Sequence, residues 1–271
     1  MIVDTDRVNL PAGVSIAGGQ LEDVVRGCKW PLNDSGTFVL GRVGCPLETV
    51  VRELAETFDL PLDVARFDVL RFVWMLNALA LVNLVRSGSR LRRFADWFAL
   101  AVRLLPAGAL PTPMGRRCPL DTGSVPRAVA STLRAAGARI AAVTTSSTLA
   151  LLAFVAALGG QGFILALALG AGTGIGVGLH EAGHAASLRG IPSALVCRGL
   201  RTFVLHAPLG AGRRSLVAVS GPGTVVAAGL VLIVIGAMTV SPCLVILGLP
   251  LAAHALSLTV IAGDGKSACG I

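Results

Sequence analysis

The sequence predicts a small α+β, winged-helix-like domain followed by an α-helical polytopic membrane domain with about four spans. The 271 residues are 54% hydrophobic with a mean hydropathy of +0.77, which is too apolar for an ordinary soluble protein. Of the 15 carboxylates, all but Glu181 and Asp264 lie within residues 1–121, so polar and apolar parts of the chain are separate. We therefore predict three segments, at residues 1–88, 89–138 (an amphipathic helix and a linker) and 139–271.

Charge and cysteine content exclude several classes of protein. The net charge of +8 has no aromatic-basic module beside it, and arginines flanking membrane spans explain it better than nucleic-acid binding. The six cysteines show no CxxC spacing, which predicts reduced thiols of the cytosol or membrane and no disulfide framework. Asp4, Asp6 and Arg7 interrupt the N-terminal residues and no apolar run follows, so no signal peptide is expected.

The first segment predicts three short strands and three helices. Extended stretches separated by glycine occupy about residues 14–16, 20–24 and 28–32. Residues 33–35 (Asn-Asp-Ser) supply N-cap side chains for a first helix that ends near Val43. Pro46 stands at the start of a second helix with apolar residues at helical spacing, and a third helix follows Pro61.

The second segment combines a predicted helix with a predicted linker. Leu91, Phe94 and Phe98 share one helical face with two later apolar residues, while arginines occupy the other faces. Such a helix suits an anionic membrane surface, and packing against the soluble domain is the alternative. Residues 106–126 are predicted to be an irregular linker.

The third segment contains two long uncharged stretches, residues 140–180 and 215–263. Each is about twice the roughly 20 residues that cross a bilayer. Each is also interrupted near its middle, at residues 159–162 (Gly-Gly-Gln-Gly) and at Ser241-Pro242. Four spans in two hairpins follow from this pattern.

Basic residues predict the orientation of these spans. Arginines precede the first span and fill the loop between the second and third, Lys266 follows the fourth, and the two short hairpin loops carry no basic residue. Both termini are therefore expected in the cytoplasm. Arginine far outnumbers lysine and tyrosine is absent, which indicates a GC-rich bacterial genome and hence a bacterial cytoplasmic membrane.

The second predicted span is rich in glycine. Residues 170, 174 and 178 form one stripe of glycines at GxxxG spacing, and residues 172 and 176 form another. Such stripes let neighbouring helix backbones approach closely. Neither GxGxxG nor GxxxxGK[ST] occurs, so we interpret the glycines as packing positions and not as a phosphate loop.

The chemistry-bearing motif is His180-Glu181-Ala182-Gly183-His184. HExxH on a helix places two imidazoles one turn apart on one face, where both can bind a single Zn²⁺, with the glutamate beside the metal's water. Asp264 is the only other carboxylate in this half and is the candidate third protein ligand. Single ionisable residues in apolar helices often only pack, but their insertion cost of about 2.5–3.5 kcal/mol each favours a functional role. The sequence predicts a zinc hydrolase with its site at the cytoplasmic ends of spans two and four.

These motifs resemble the site-2 protease family of intramembrane zinc metalloproteases. The resemblance covers roughly residues 140–271 and depends on HEAGH, Ser220-Gly221-Pro222-Gly223 and Asp264-Gly265. It implies that His180, His184 and Asp264 hold Zn²⁺ and that Glu181 is the catalytic base. The chain departs from the family at Val225, where an asparagine is usual, and in residues 254–263, which lack the usual asparagine and proline.

Residues 10–86 resemble the PqqD-like domain, the recognition element of ribosomally made peptide natural products. The likeness depends on the LNxS helix start, the second helix and the DVxxFVxxL third helix. It implies a leader peptide added as a strand at residues 28–32, with Lys29 on the edge and Phe67, Leu70 and Trp74 of the third helix behind it. A winged helix could instead bind DNA, but six acidic residues oppose phosphate: Glu48, Glu53, Glu56, Asp59, Asp63 and Asp68.

Together these features predict a membrane-embedded zinc metalloprotease that binds a precursor peptide and removes its leader. Regulated intramembrane proteolysis of a membrane protein or a signal-peptide remnant is the alternative activity. A peptide-binding membrane scaffold or immunity protein without catalysis is the non-enzyme alternative. The expected partners are the precursor peptide and the lipid bilayer, with no nucleic acid, and a homo-oligomer or a partner subunit stays open.

Overall fold

The computed structural model describes residues 2, 4–87, 115–159, 162–198 and 201–258. The chain divides into two compact units. The first comprises residues 1–119 and 194–207, and the second comprises residues 120–193 and 208–271. The predicted helix near residues 91–105 and the predicted ligand Asp264 lie outside the described residues.

The first unit begins with short strands and continues with three helices. The strands are β1 (Arg7–Asn9), β2 (Val14–Ala17), β3 (Gln20–Asp23) and β4 (Cys28–Pro31). The helices are α1 (Asp34–Leu40), α2 (Leu47–Phe58) and α3 (Leu62–Ala78), and β5 (Asn83–Val85) follows. Strands β2, β3 and β4 form an antiparallel sheet, and β1 pairs with β5. The three predicted strands and three predicted helices are confirmed.

Local signals explain where these helices begin. The side chain of Asn33 accepts a hydrogen bond from the Gly36 N–H at 2.9 Å, as the predicted N-cap requires. Pro46 and Pro61 directly precede α2 and α3. The first helix is shorter than predicted, because it ends at Leu40 and Gly41 is its C-cap.

The core of the first unit lies between the strands and the three helices. Leu21 of β3 is fully buried, as is Val73 of α3, and Leu54 of α2 is 1% exposed. These apolar residues belong to one buried cluster that also includes Val8 of β1 and Leu81 and Val82 before β5. The pairing of β1 with β5 was not predicted, because each strand has only three residues and a distant partner.

Part of the predicted linker is a strand of the first unit. Strand β6 (Gly115–Leu120) forms a second three-stranded sheet with β7 (Ser193–Arg198) and β8 (Arg201–His206). The prediction of an irregular linker through residues 115–120 is therefore wrong. Local sequence gave no strand pattern there, and the strand depends on long-range partners that include Asn77, whose amide accepts from the Gly115 N–H and donates to its carbonyl at 2.8 Å each.

A buried ion pair joins β6 to β3. Arg117 Nη1 and Nη2 donate to the two Asp23 carboxylate oxygens at 2.7 and 2.8 Å, and both side chains are 0% exposed. The Arg26 guanidinium is also within 2.9 Å of the Asp23 carboxylate. Burial alone would raise the pKa of Asp23, but the hydrogen bond and charge of Arg117 hold that pKa below its usual value.

The second unit consists of apolar helices. Helices α4 (Val125–Ala157), α5 (Phe163–Ser187) and α6 (Ala211–Met238) have 33, 25 and 28 residues and are long and apolar enough to cross a membrane. Helix α7 (Pro242–Ala252) is shorter and continues as the 3-10 helix η1 (Ala253–Leu258). The predicted breaks are confirmed, because no helix includes residues 158–162 or 239–241 in the described part of the chain.

The glycine stripes of α5 pack against two different neighbours. A Cβ added to Gly170 would lie 2.9 Å from Thr148 Cα, and one added to Gly174 would lie 2.9 Å from Thr144 Cβ, both in α4. A Cβ added to Gly172 would lie 2.7 Å from Pro250 Cγ in α7. The interpretation of these glycines as packing positions is confirmed.

Candidate metal centre and peptide-binding edge

Helix α5 brings His180 and His184 together near its C-terminal end. Their Nε2 atoms are 3.1 Å apart, and their ring centroids are separated by 4.7 Å with the planes at 82°. His184 is 8% exposed and Glu181, between them in sequence, is 5% exposed. The helical spacing that the sequence predicted therefore produces two converging imidazole nitrogens, and the residue after His180 in the same helix is a buried carboxylate.

Helix α6 fixes the orientation of the His184 ring. The His184 Nδ1 atom is 2.6 Å from the Val217 carbonyl oxygen. Because a carbonyl only accepts, Nδ1 carries the proton and donates it, and Nε2 of the neutral ring keeps its lone pair. The Ser220 hydroxyl donates to the same carbonyl at 2.7 Å. A ring nitrogen that donates to a backbone carbonyl, with the other left as a ligand, is the usual arrangement of a metal-binding histidine.

Two glycines permit α5 and α6 to approach at this point. A Cβ added to Gly183 would lie 2.6 Å from the Ser220 carbonyl oxygen. A Cβ added to Gly221 would lie 2.6 Å from His184 Cε1. The Ser220-Gly221-Pro222-Gly223 motif therefore lies inside α6, and its Gly221 makes room for the His184 ring.

The donor set fits a tetrahedral zinc ion. Two ligands with Zn–N bonds of about 2.0–2.1 Å in tetrahedral geometry have nitrogens roughly 3.3 Å apart. The 3.1 Å between the two Nε2 atoms is close to that separation. Within residues 2, 4–87, 115–159, 162–198 and 201–258, no group of three His, Cys, Asp or Glu side chains could hold a metal ion. Among the described residues, the predicted metal site therefore consists of these two imidazole nitrogens, and Asp264 stays the predicted third ligand.

Sequence reasoning missed His254 as a neighbour of this centre. Its ring centroid lies 5.7 Å from that of His180, with the planes at 47°. A Cβ added to Gly176, one helical turn before His180, would lie 2.8 Å from His254 Cε1. The available signal was a third histidine in an apolar stretch, at a position where a polar side chain has a high insertion cost.

Strand β4 has an unpaired outer edge among the described strands, since its sheet has the order β2-β3-β4. The Leu32 N–H donates to the Gly19 carbonyl at 2.9 Å, which continues the β3–β4 ladder. Hydrogen-bonded and non-hydrogen-bonded pairs alternate in an antiparallel ladder, so the Lys29 N–H points away from β3. The Lys29 side chain lies on the sheet surface and pairs with Glu22 at 2.5 Å.

The predicted side chains of α3 differ in exposure. Phe67 is 62% exposed and Trp74 is 44% exposed, while Leu70 is partly buried against the core. The Arg26 guanidinium donates to the carbonyl of Leu79, the C-cap of α3, and lies 5.7 Å from the ring centroid of Trp30 in β4. An open strand edge and exposed aromatic side chains are therefore both present on the first unit.

No family model, curated protein or solved structure matches this chain. The chemistry of the His180–His184 pair and of the β4 edge is thus the basis for a functional proposal.

Proposed function

We propose that this protein is a membrane-embedded zinc metalloprotease. His180 and His184 would hold Zn²⁺ through Nε2, with Asp264 as third protein ligand, and Glu181 would be the general base. The observation that supports this most directly is the 3.1 Å approach of two Nε2 atoms, one of which carries a lone pair fixed by the Val217 carbonyl. The resemblance of these motifs to the site-2 protease family is consistent with the proposal.

Different residues of the chain perform different parts of the proposed reaction. Bound Zn²⁺ would supply a Lewis acid for the scissile carbonyl and lower the pKa of water. Glu181 accepts a proton from the attacking water and transfers it to the nitrogen of the leaving amine. Its burial in α5, at 5% exposure, keeps bulk water from competing for that proton. The Val217 carbonyl accepts hydrogen bonds from both His184 Nδ1 and the Ser220 hydroxyl, and this keeps the His184 ring in position.

The first unit would capture the substrate. An extended peptide adds to an open strand edge through main-chain hydrogen bonds, and neighbouring pockets give specificity. The outward N–H of Lys29 and the exposed rings of Phe67 and Trp74 suit this mode of binding. Together with the likeness to PqqD-like domains, these features favour a ribosomally made precursor peptide as substrate, with removal of its leader as the reaction.

The location follows from the helices and the charge pattern. Helices α4, α5 and α6 are long and apolar enough to span a bilayer. The arginine-rich segments on either side of them support a cytoplasmic position for both termini and the metal centre. Newly synthesised peptides are accessible on that side.

Cleavage and metal content of the purified chain test the proposal together. We expect about one zinc per chain by elemental mass spectrometry, and leader removal from candidate precursor peptides by peptide mass analysis. Glu181→Gln should retain zinc and lose hydrolysis, because it removes the base and keeps the ligands. Asp264→Ala should lose both. Glu56→Gln, the same change on the exposed surface of α2, is the matched control and should change neither.

Normal cleavage by Glu181→Gln would refute the catalytic assignment. Zinc-free wild-type protein that still cleaves would refute the metal centre itself. Zinc-loaded protein that binds precursor peptides and leaves them intact would instead support the scaffold alternative.

A further inference from the structure

The third histidine of the second unit is placed against the metal centre. His254 lies on η1, and its ring packs over Gly176 on the face of α5 that carries His180 one turn later. Because residues 176, 180 and 184 are spaced by four, they share one helical face. The missing side chain at Gly176 creates the space in which the His254 ring lies next to His180.

The tautomer of His254 follows from its partner. Its Nδ1 atom is 3.0 Å from the Pro250 carbonyl oxygen, which only accepts. Nδ1 therefore donates, and Nε2 of the neutral ring is an acceptor. The same pattern occurs at His184 with the Val217 carbonyl. His254 therefore presents a hydrogen-bond acceptor next to His180, whose ring would have to be held in a fixed orientation to bind a metal ion.

We infer that His254 is a positioning residue of the metal centre, whose Nε2 accepts the Nδ1–H of His180 when His180 binds metal through Nε2. This inference rests on the proposed zinc site. Two imidazoles joined by an N–H···N bond of about 3.0 Å have centroids roughly 5.3 Å apart. The observed centroid separation of 5.7 Å needs only a small adjustment to reach that geometry.

The relay His180–His254–Pro250 is the counterpart of His184–Val217. Each would fix one metal-binding imidazole by a second group, and each ends on a backbone carbonyl. Partners of this kind set the tautomer of a ligand and raise its basicity, and their loss commonly weakens metal binding by about 10–100-fold. His254 is thus expected to act on zinc affinity through His180.

Zinc affinity, measured on the purified full chain by competition with a chromogenic chelator, tests this role. His254→Phe keeps a ring over Gly176 but cannot accept a hydrogen bond, and should weaken zinc binding about 10–100-fold. His254→Gln retains an acceptor oxygen and should stay within about threefold of wild type. His206→Phe is the matched control, because His206 Nδ1 also bonds a backbone carbonyl, that of Ala207 at 2.7 Å, in the first unit.

A second variant displaces the His254 ring without replacing His254 itself. A methyl group at Gly176 would displace the His254 side chain, so Gly176→Ala should weaken zinc binding in the same way as His254→Phe. Gly137→Ala in α4 is its control, since a Cβ there meets nothing within 4 Å. Agreement between the two variants excludes a folding defect peculiar to one of them.

The outcomes separate this inference from the proposed function. Full zinc affinity in His254→Phe and Gly176→Ala, with loss in His180→Ala, would overturn the role of His254 and leave the zinc site intact. Loss in His254→Gln as large as in His254→Phe would also overturn it, in favour of direct ligation or simple packing. Wild-type protein that binds no zinc would overturn both.

Discussion

Removal of the Arg117 guanidinium should destabilise the first unit more than any surface change. Arg117 and Asp23 are 0% exposed and form two hydrogen bonds of 2.7 and 2.8 Å. Arg117→Met would retain most of the apolar stem and leave a buried carboxylate with one fewer cation. Loss of one partner of a buried pair costs about 3–5 kcal/mol. Because Arg26 stays within 2.9 Å of Asp23, we expect the lower end, about 3 kcal/mol.

Urea unfolding followed by tryptophan fluorescence measures this cost in the full chain. Two of the three tryptophans, Trp30 and Trp74, lie in the described part of the first unit, so their signal reports this unit. With a urea dependence of about 1–3 kcal/mol per molar, 3 kcal/mol lowers the midpoint by roughly 1–3 M. Arg66→Met removes the exposed ion pair with Asp4 and is the matched control, which should cost about 0–1 kcal/mol.

A double variant identifies the physical cause. Asp23→Asn keeps an oxygen for the Val25 N–H, which donates to Asp23 at 3.0 Å, and removes the charge. If the cost of Arg117→Met arises from the uncompensated carboxylate, the double variant should recover at least half of it. An Arg117→Met midpoint equal to that of Arg66→Met would refute the reasoning. A double variant as unstable as Arg117→Met alone would attribute the loss to packing.

The same pair predicts a pH dependence. Because the folded pKa of Asp23 lies below its unfolded value of about 3.9, the contribution of the pair is complete above that pH. It is lost as the pH falls through the folded pKa. The difference in unfolding free energy between wild type and Arg117→Met should therefore be largest near neutrality and narrow below about pH 4. A difference that widens in acid would contradict the assigned charge state.

Two further predictions concern peptide capture and topology. Lys29→Pro removes an outward N–H from the β4 edge, so KM for a precursor peptide should rise while kcat stays near that of wild type. An equal loss of kcat would contradict the recognition role, and so would undiminished cleavage of a leaderless peptide. Reporter tags fused at residues 1 and 271 should both locate to the cytoplasm and a tag inserted at Gly160 to the outside, and an N-terminal tag found outside would refute the proposed orientation.

Elements with a local signal could be predicted from the sequence. Each of these signals lies within a few residues of the helix end that it determines. They are the cap at Asn33, the prolines before α2 and α3, and the breaks after Ala157 and Met238. The His180–His184 pair was predictable for the same reason, because four residues of helix fix the spacing of the two rings.

Features that depend on distant partners could not be predicted. Strand β6 has no alternating pattern of its own, and Arg117 finds Asp23 across 94 residues of sequence. His254 reaches the His180 ring only because η1 returns to α5 at Gly176, and neither segment indicates the other. The periodicity of a sequence predicts one helix or strand at a time, whereas each of these contacts depends on how two distant elements pack together.

The first unit is built from two separate segments of the chain, and this affects when it can be completed during synthesis. Asp23 of β3 pairs with Arg117 of β6, and β7 and β8 join the unit from a segment that is synthesised after α4 and α5. Domains of a nascent chain fold from the N-terminus as residues leave the ribosome. The first unit of this protein cannot be completed in that order, since its last segment follows the helix that carries His180 and His184 along the chain. The unit proposed to capture substrate is therefore complete only once the helix that carries His180 and His184 has been synthesised.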